Sequence, residues 1–305
     1  MMLHLFWKSL GFPPPSPNEI KNYYGLHLFF SQISHGEPSF VSLDPMAYGV
    51  PDPSLKFLPE PVDIRSSSNG LLCCQGRTEY KAYYICNPTT KHWQKLPKPD
   101  NNHPSLLNFA AEYQLICAFP SELDGHEFEI YSSSKGSWRT SGEIFFGNRA
   151  IRTNSGVYAN GSVYWLTQYD RILAFDLKME RSQLMYGHGS LGVKDGKLCT
   201  TSLHGFKLSV HLLSNAYTNT MHSHTRAWKT HEITLDPSVF TDSYYDRDAV
   251  LFTGNDIVLF RGRDLLYVYD MKTHTHNFKK PFPNKPIDID KSQDNSHLFL
   301  IGFIN

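Results

Sequence analysis

Three observations place this sequence in the all-β class and predict a six-bladed β-propeller of four-stranded antiparallel sheets. Helical periodicity is nearly absent beyond the N-terminus. Short runs of β-branched, aromatic and apolar residues alternate instead with clusters of Gly, Asn, Asp and Pro. Those runs recur as a unit of about 40–50 residues, the period of a propeller blade, with seven blades as the structural alternative. Composition agrees: 14% of the 305 residues are aromatic, with 17 Tyr and 20 Phe, which suits strands, while 19 prolines and 20 glycines turn the chain often.

The units follow one another along the chain. A degenerate first copy reads LHLFFSQISHGEPSFVSLDP from residue 26. The second, residues 66–97, is SSSNGLLCCQGRTEYKAYYICNPTTKHWQKLP. Here Asn69-Gly70 turns, Leu71 to Gln75 is a strand, Gly76 to Glu79 turns and Tyr80 to Cys86 is the next strand. Asn87-Pro88-Thr89-Thr90 turns again, and His92 to Leu96 carries Trp93. The third copy, AEYQLICAFPSELDGHEFEIYSSSKGSWRTSG, repeats that order up to Trp138. The fourth, ANGSVYWLTQYDRILAFDLKMERSQLM, opens on Asn160-Gly161 and has Asp176 at its second turn. The fifth runs from VKDGKLCTTSLHGFKLSVHLL to Trp228, with SNAYTNTMHSHTR inserted before the tryptophan. The sixth, FTGNDIVLFRGRDLLYVYDMKTHTHNFKKP, places Gly254-Asn255, Asp270 and Phe278 at the matching points.

Each unit has a physical reason. A four-stranded sheet cannot bury both faces alone, but stacked radially each face is covered by a neighbour. An Asn, Asp or Ser ending the third strand bonds its own backbone ahead and fixes a tight turn. The late aromatic then has a groove between blades to fill. The C-terminal HLFLIGFI has no hairpin partner, so it is expected to complete the first blade and close the ring, which removes exposed sheet edges.

Cys73, Cys74 and Cys86 raise the question of a metal or redox site. Adjacent residues on a strand point to opposite faces, so Cys73 and Cys74 cannot share one ligand set, and buried cysteine packs as a small hydrophobe. All three are read as architecture. Five cysteines without a framework, and no secretory signal in MMLHLFWKSLGFPPP, indicate a reducing compartment, cytoplasmic or nuclear. The sequon Asn160-Gly161-Ser162 carries no weight there. Charge is balanced at 29 basic against 29 acidic residues, which argues against a nucleic-acid or membrane surface, and no apolar run is long enough to span a bilayer.

Other patterns resemble chemistry in letters only. Gly187, Gly189 and Gly192 fit G-x-G-x-x-G, but a dinucleotide site needs a helix next, and VKDGKLCTTS reads as a hairpin. His222, His224 and His231, and then His274 and His276, include same-face pairs without a Cys or carboxylate at matching spacing. Asp242, Asp246 and Asp248 lie in the polar connector TDSYYDRD, where nothing buries them to shift a pKa. A copper oxidase constellation of Tyr, His and Cys is not picked out by spacing. No catalytic, cofactor or metal residue is assigned, and the protein-binding residues stay unknown. The stretches SNAYTNTMHSHTRAW and SVFTDSYYDRD are the longest variable loops, and loops of this kind carry recognition.

The second unit resembles the signature of plant F-box-associated domains, the kelch-like propellers attached to F-box motifs. Asn69, Gly70, Leu71, Leu72, Cys73, Asn87, Pro88, Thr89, Trp93, Leu96 and Pro97 match it. NGSVYWLT at 160–167 followed by ILAFDL at 172–177 is similar to the next motif of that family. The resemblance covers roughly residues 26–305. It implies a protein-recognition module like the substrate receptor of an SCF-type ubiquitin ligase, binding its target through propeller loops without catalysis. Residues 1–25 are read as a remnant of an F-box, since FWKSL at 6–10 is similar to the tail of its last helix, or as an unrelated leader. A Skp-type adaptor is expected as partner only where an F-box lies upstream. Two alternatives stand beside this: a propeller enzyme, oxidase or hydrolase, with its site at the central channel, or a recognition module no longer linked to ubiquitylation.

Overall fold

The protein is seen in a computed structural model that describes residues 27–32, 37–42, 54–68, 71–78, 82–88, 90–99, 107–110, 114–147, 150–152, 156–168, 171–187, 189–214, 228–236, 250–253, 257–261, 265–281 and 297–302. Every regular element among them is a β-strand. The chain divides into two compact units, residues 1–147 with 293–305, and residues 148–292.

In the first unit, β1 (His27–Gln32) pairs with β2 (Ser39–Ser42) on one side and with the last strand, β23 (His297–Gly302), on the other. The β1–β23 pairing is antiparallel, with Phe29 opposite Leu300, so the expected union of the C-terminal strand with the first unit is present. A four-stranded meander follows: β3 (Val62–Ser68), β4 (Leu71–Gly76), β5 (Tyr83–Cys86) and β6 (Trp93–Leu96). The next contains β7 (Leu107–Ala110), β8 (Gln114–Ser121), β9 (Gly125–Ser132) and β10 (Ser137–Phe146). β3 lies beside β7, and β23 lies beside β3, so the C-terminal strand takes the first-strand place in its sheet.

The second unit holds three more meanders of the same order. They are β11 (Val157–Ala159) to β14 (Arg181–Tyr186) through β12 (Ser162–Thr167) and β13 (Arg171–Asp176); β15 (Ser190–Lys194) to β18 (Trp228–Thr234) through β16 (Lys197–His204) and β17 (Lys207–Leu213); and β19 (Val250–Thr253) to β22 (Thr275–Pro281) through β20 (Ile257–Arg261) and β21 (Leu265–Asp270). Here too the first strands are neighbours, β11 with β15 and β15 with β19.

Turn chemistry sets the register. Asn160-Gly161 and Asp195-Gly196 each form a two-residue link between paired strands, with φ of 46° and 81° in the first and 51° and 72° in the second. Positive φ at both positions gives the turn whose twist matches a hairpin. Between third and fourth strands a different turn recurs. Asp176 Oδ1 accepts from the Lys178 and Met179 amides at 2.9 and 2.8 Å, and Asp270 Oδ1 from Lys272 and Thr273 at 2.8 and 3.1 Å. Asn87 Oδ1 accepts from the Thr90 amide at 3.2 Å. Four residues after each of these, and after Ser132, the backbone is left-handed, at Lys91, Gly136, Glu180 and His274.

The core sits between consecutive sheets. β4 and β12 are buried along their whole length, as strands covered on both faces should be. Leu71 and Cys73 join a cluster with Leu115, Cys117 and Tyr131 of the following sheet, while Leu72 and Cys74 join Val62, Ile64 and Tyr84 on the opposite face. In the second unit Leu191, Leu198 and Leu213 pack on Tyr164, Ile172 and Met185, and Cys199 and Leu208 on Val258 and Tyr267.

Candidate interaction surfaces

Cys73, Cys74 and Cys86 carry no disulfide and are completely buried, as are Cys117 and Cys199. Burial pushes the thiols of Cys73 and Cys74 well above the ordinary range. Cys117 rises to about 12 through burial and the nearby Glu129 carboxylate, and Cys199 to about 12, mainly through burial. A nucleophile or soft-metal ligand needs the opposite shift. Opposite-face placement of Cys73 and Cys74 follows the strand alternation.

The late aromatics serve mainly as wedges. Trp138 on β10 leans on Tyr83 of the preceding sheet, ring centroids 6.4 Å apart, and on Tyr131 at 5.3 Å. Its indole N–H donates to the Pro97 carbonyl at 2.8 Å, just beyond β6. Trp228 on β18 packs against the preceding sheet beside Gly187, where an added Cβ would run into Ile172. Trp93 differs: it meets Tyr84 edge-on at 5.8 Å and stays 41% exposed. Phe278 lies in β22, and its side chain is outside the described residues.

A polar cluster that the sequence reading does not single out joins β3 to β4. Asp63 accepts from Arg77 Nε at 2.9 Å and Arg65 Nη2 at 3.4 Å. Arg65 Nε donates to Gln75 Oε1 at 2.9 Å, and Gln75 Nε2 reaches the Tyr83 hydroxyl at 3.4 Å. Nearby, Glu60 accepts from the Tyr84 hydroxyl at 2.7 Å and the Thr78 amide at 2.9 Å. Burial pushes the Glu60 carboxyl up, but the Tyr84 and Thr78 bonds and the Lys95 charge outweigh it and hold the group below its usual range. Burial and Glu60 together lift Tyr84 to about 12. An ionised acceptor facing a protonated donor is a clamp, not an acid–base pair working near neutrality. Charged residues alternating with Val62 and Ile64 were the available signal.

Among the described residues, the remaining sequence candidates do not gather. Gly187 and Gly189 precede strand β15 and Gly192 lies within it, paired with Cys199, so no helix follows to meet a phosphate. Gly189 has φ of 87°, and a Cβ there would strike the Thr201 carbonyl. His231 stands exposed on β18, and His274 Nδ1 lies 3.2 Å from the Tyr269 hydroxyl. His276 is placed in β22 by its backbone alone. Among the described residues, no three His, Cys, Asp or Glu side chains converge as metal ligands. His222, His224, Asp242, Asp246, Asp248 and nearly all of both long loops lie outside the described residues, as do Asn69-Gly70 and Gly254-Asn255.

Repeated antiparallel meanders, with buried side chains clustered between consecutive sheets among the described residues, are the building plan of propeller-type proteins. The family of the F-box associated beta propeller domain matches residues 50–233, more than half of the chain, and this plant chain belongs to that family. Three F-box proteins of Arabidopsis thaliana are similar to it. One is 31% identical over 154 residues, covering 43% of this chain and 43% of the relative. The second is 26% identical over 233 residues, covering 62% and 54%, and the third 26% over 176 residues, covering 53% and 42%. The chain therefore spans about half the length of the curated relatives it matches. A chain in a crystal structure of a nidogen/laminin complex shares the fold, with a TM-score of 0.53 at 11% identity over 92% of this chain and 99% of that one.

Proposed function

We propose that this chain is the recognition module of an F-box protein, holding a target protein for an SCF-type ubiquitin ligase and performing no chemistry itself. The family match across its meanders is the observation that carries this reading. Six blades in a ring fastened by β23 is our reading of the scaffold, supported by the repeated strand order and by the β1–β23 pairing. Such a scaffold holds variable loops rigidly, and those loops would contact the target. A Skp-type adaptor joins through an F-box where the full protein carries one, and the complex works in the cytoplasm or nucleus. The test is capture of a target by crosslinking in plant cells, followed by its ubiquitylation with and without the gene. Loss of the gene should lower ubiquitylation of the captured protein and raise its abundance. A captured protein whose ubiquitylation and abundance do not change would leave a recognition module detached from the ligase.

A further inference from the structure

Trp93 departs from the pattern set by its counterparts. Counting from the residue that ends the third strand, Trp93 follows Asn87 by the same interval as Trp138 follows Ser132. Trp138 is half-buried and bonded to the preceding sheet, and Trp228 is half-buried in the next unit's core, yet Trp93 leaves 41% of its surface in water. Its ring meets Tyr84 edge-on. A large ring set on an outer strand and left open is the type of residue that anchors partners.

The surroundings choose the partner. Lys91, Lys95 and Lys98 are all exposed, and residues 91–98 contain no carboxylate. Glu60, which feels the Lys95 charge, is already engaged by Tyr84 and Thr78. Trp93 and Lys95 share the face that carries Tyr84, as their register opposite Cys86 and Tyr84 requires. We propose that this edge of β6 docks an acidic segment of a partner protein, one large apolar side chain of which packs on Trp93. The proposal rests on the recognition reading and gives the chemistry of what is recognised. A basic segment would meet like charge, and a neutral one would leave Lys91 and Lys95 without a role in selection.

The test uses the full chain and a short synthetic peptide of Asp and Glu around one Phe. Two counterparts, one with Lys for every acid and one with Gly for Phe, serve as controls, and titration calorimetry gives the affinities. The acidic Phe peptide should bind, more weakly as salt rises, and each counterpart should lose about tenfold or more. Trp93→Ala and the double variant Lys91→Glu, Lys98→Glu should each lose about tenfold as well. The double variant guards against misfolding, because Glu180 already occupies the left-handed position equivalent to Lys91. Absence of binding, equal binding of the Lys peptide, or unchanged affinity in the double variant would overturn the proposal. So would a concentration-dependent dimer abolished by Trp93→Ala, which would make a second copy the occupant. If the captured target is still ubiquitylated normally with Trp93→Ala, this surface fails and the receptor reading stands.

Discussion

His126 on β9 is 8% exposed, and its Nδ1 has no hydrogen-bond partner. Burial alone holds its protonation below the ordinary value of 6.5. The folded pKa is depressed, so the unfolded chain binds the proton more readily, and stability is full above 6.5 and is lost as pH falls through the lower folded value. His126→Leu should therefore flatten the acid side of the stability curve and, by removing an unsatisfied buried nitrogen, raise stability by about 1 kcal/mol at neutral pH. Urea unfolding of both proteins on either side of 6.5 checks this, and parallel curves would refute it. At this scale the cysteines were legible, because alternation along a strand needs no knowledge of partners. The Asp63–Arg65–Arg77 cluster was not, because it depends on the pairing of β3 with β4 and on a register shift between Ile64 and Ser66.

The third-to-fourth strand turn is the most regular element of the chain. Its side-chain acceptor at Asn87, Asp176 or Asp270 was readable from residue type, since Asx turns are local. The left-handed residue that closes it was not readable at Lys91 and Glu180, which are not residues that prefer that conformation. Replacing Lys91 or Glu180 by Gly should remove local strain and stabilise the protein by roughly 0.5–1 kcal/mol. Asp176→Ala should instead destabilise it by about 1 kcal/mol, through loss of its two amide bonds. Thermal midpoints of the three variants decide this; a Gly variant that melts earlier than the parent would contradict it. The first strands were the least legible elements. β7, β11 and β19 have four, three and four residues, too few for alternation to stand out, and they are fixed by neighbours far along the chain.

Across the whole chain, the recurring unit was legible because each sheet repeats the same solution for covering its faces. The pairing of β23 with β1 was expected from an unmatched strand at one end and a degenerate copy at the other, and the register confirms it. The two long loops stay unassigned, since recognition residues follow the partner and not the scaffold. Removing residues 297–305 should leave β1 without its β23 partner and weaken amide-exchange protection there, while β12 and β16 keep theirs. Equal protection of β1 in both forms would refute this. That one pairing also orders events during synthesis. β23 follows every other meander along the chain, so β1 waits with an unpaired edge until β23 has been made, while the meanders between them can form. Until β23 emerges, that edge is the natural place for a chaperone to hold the nascent protein and for aggregation to begin.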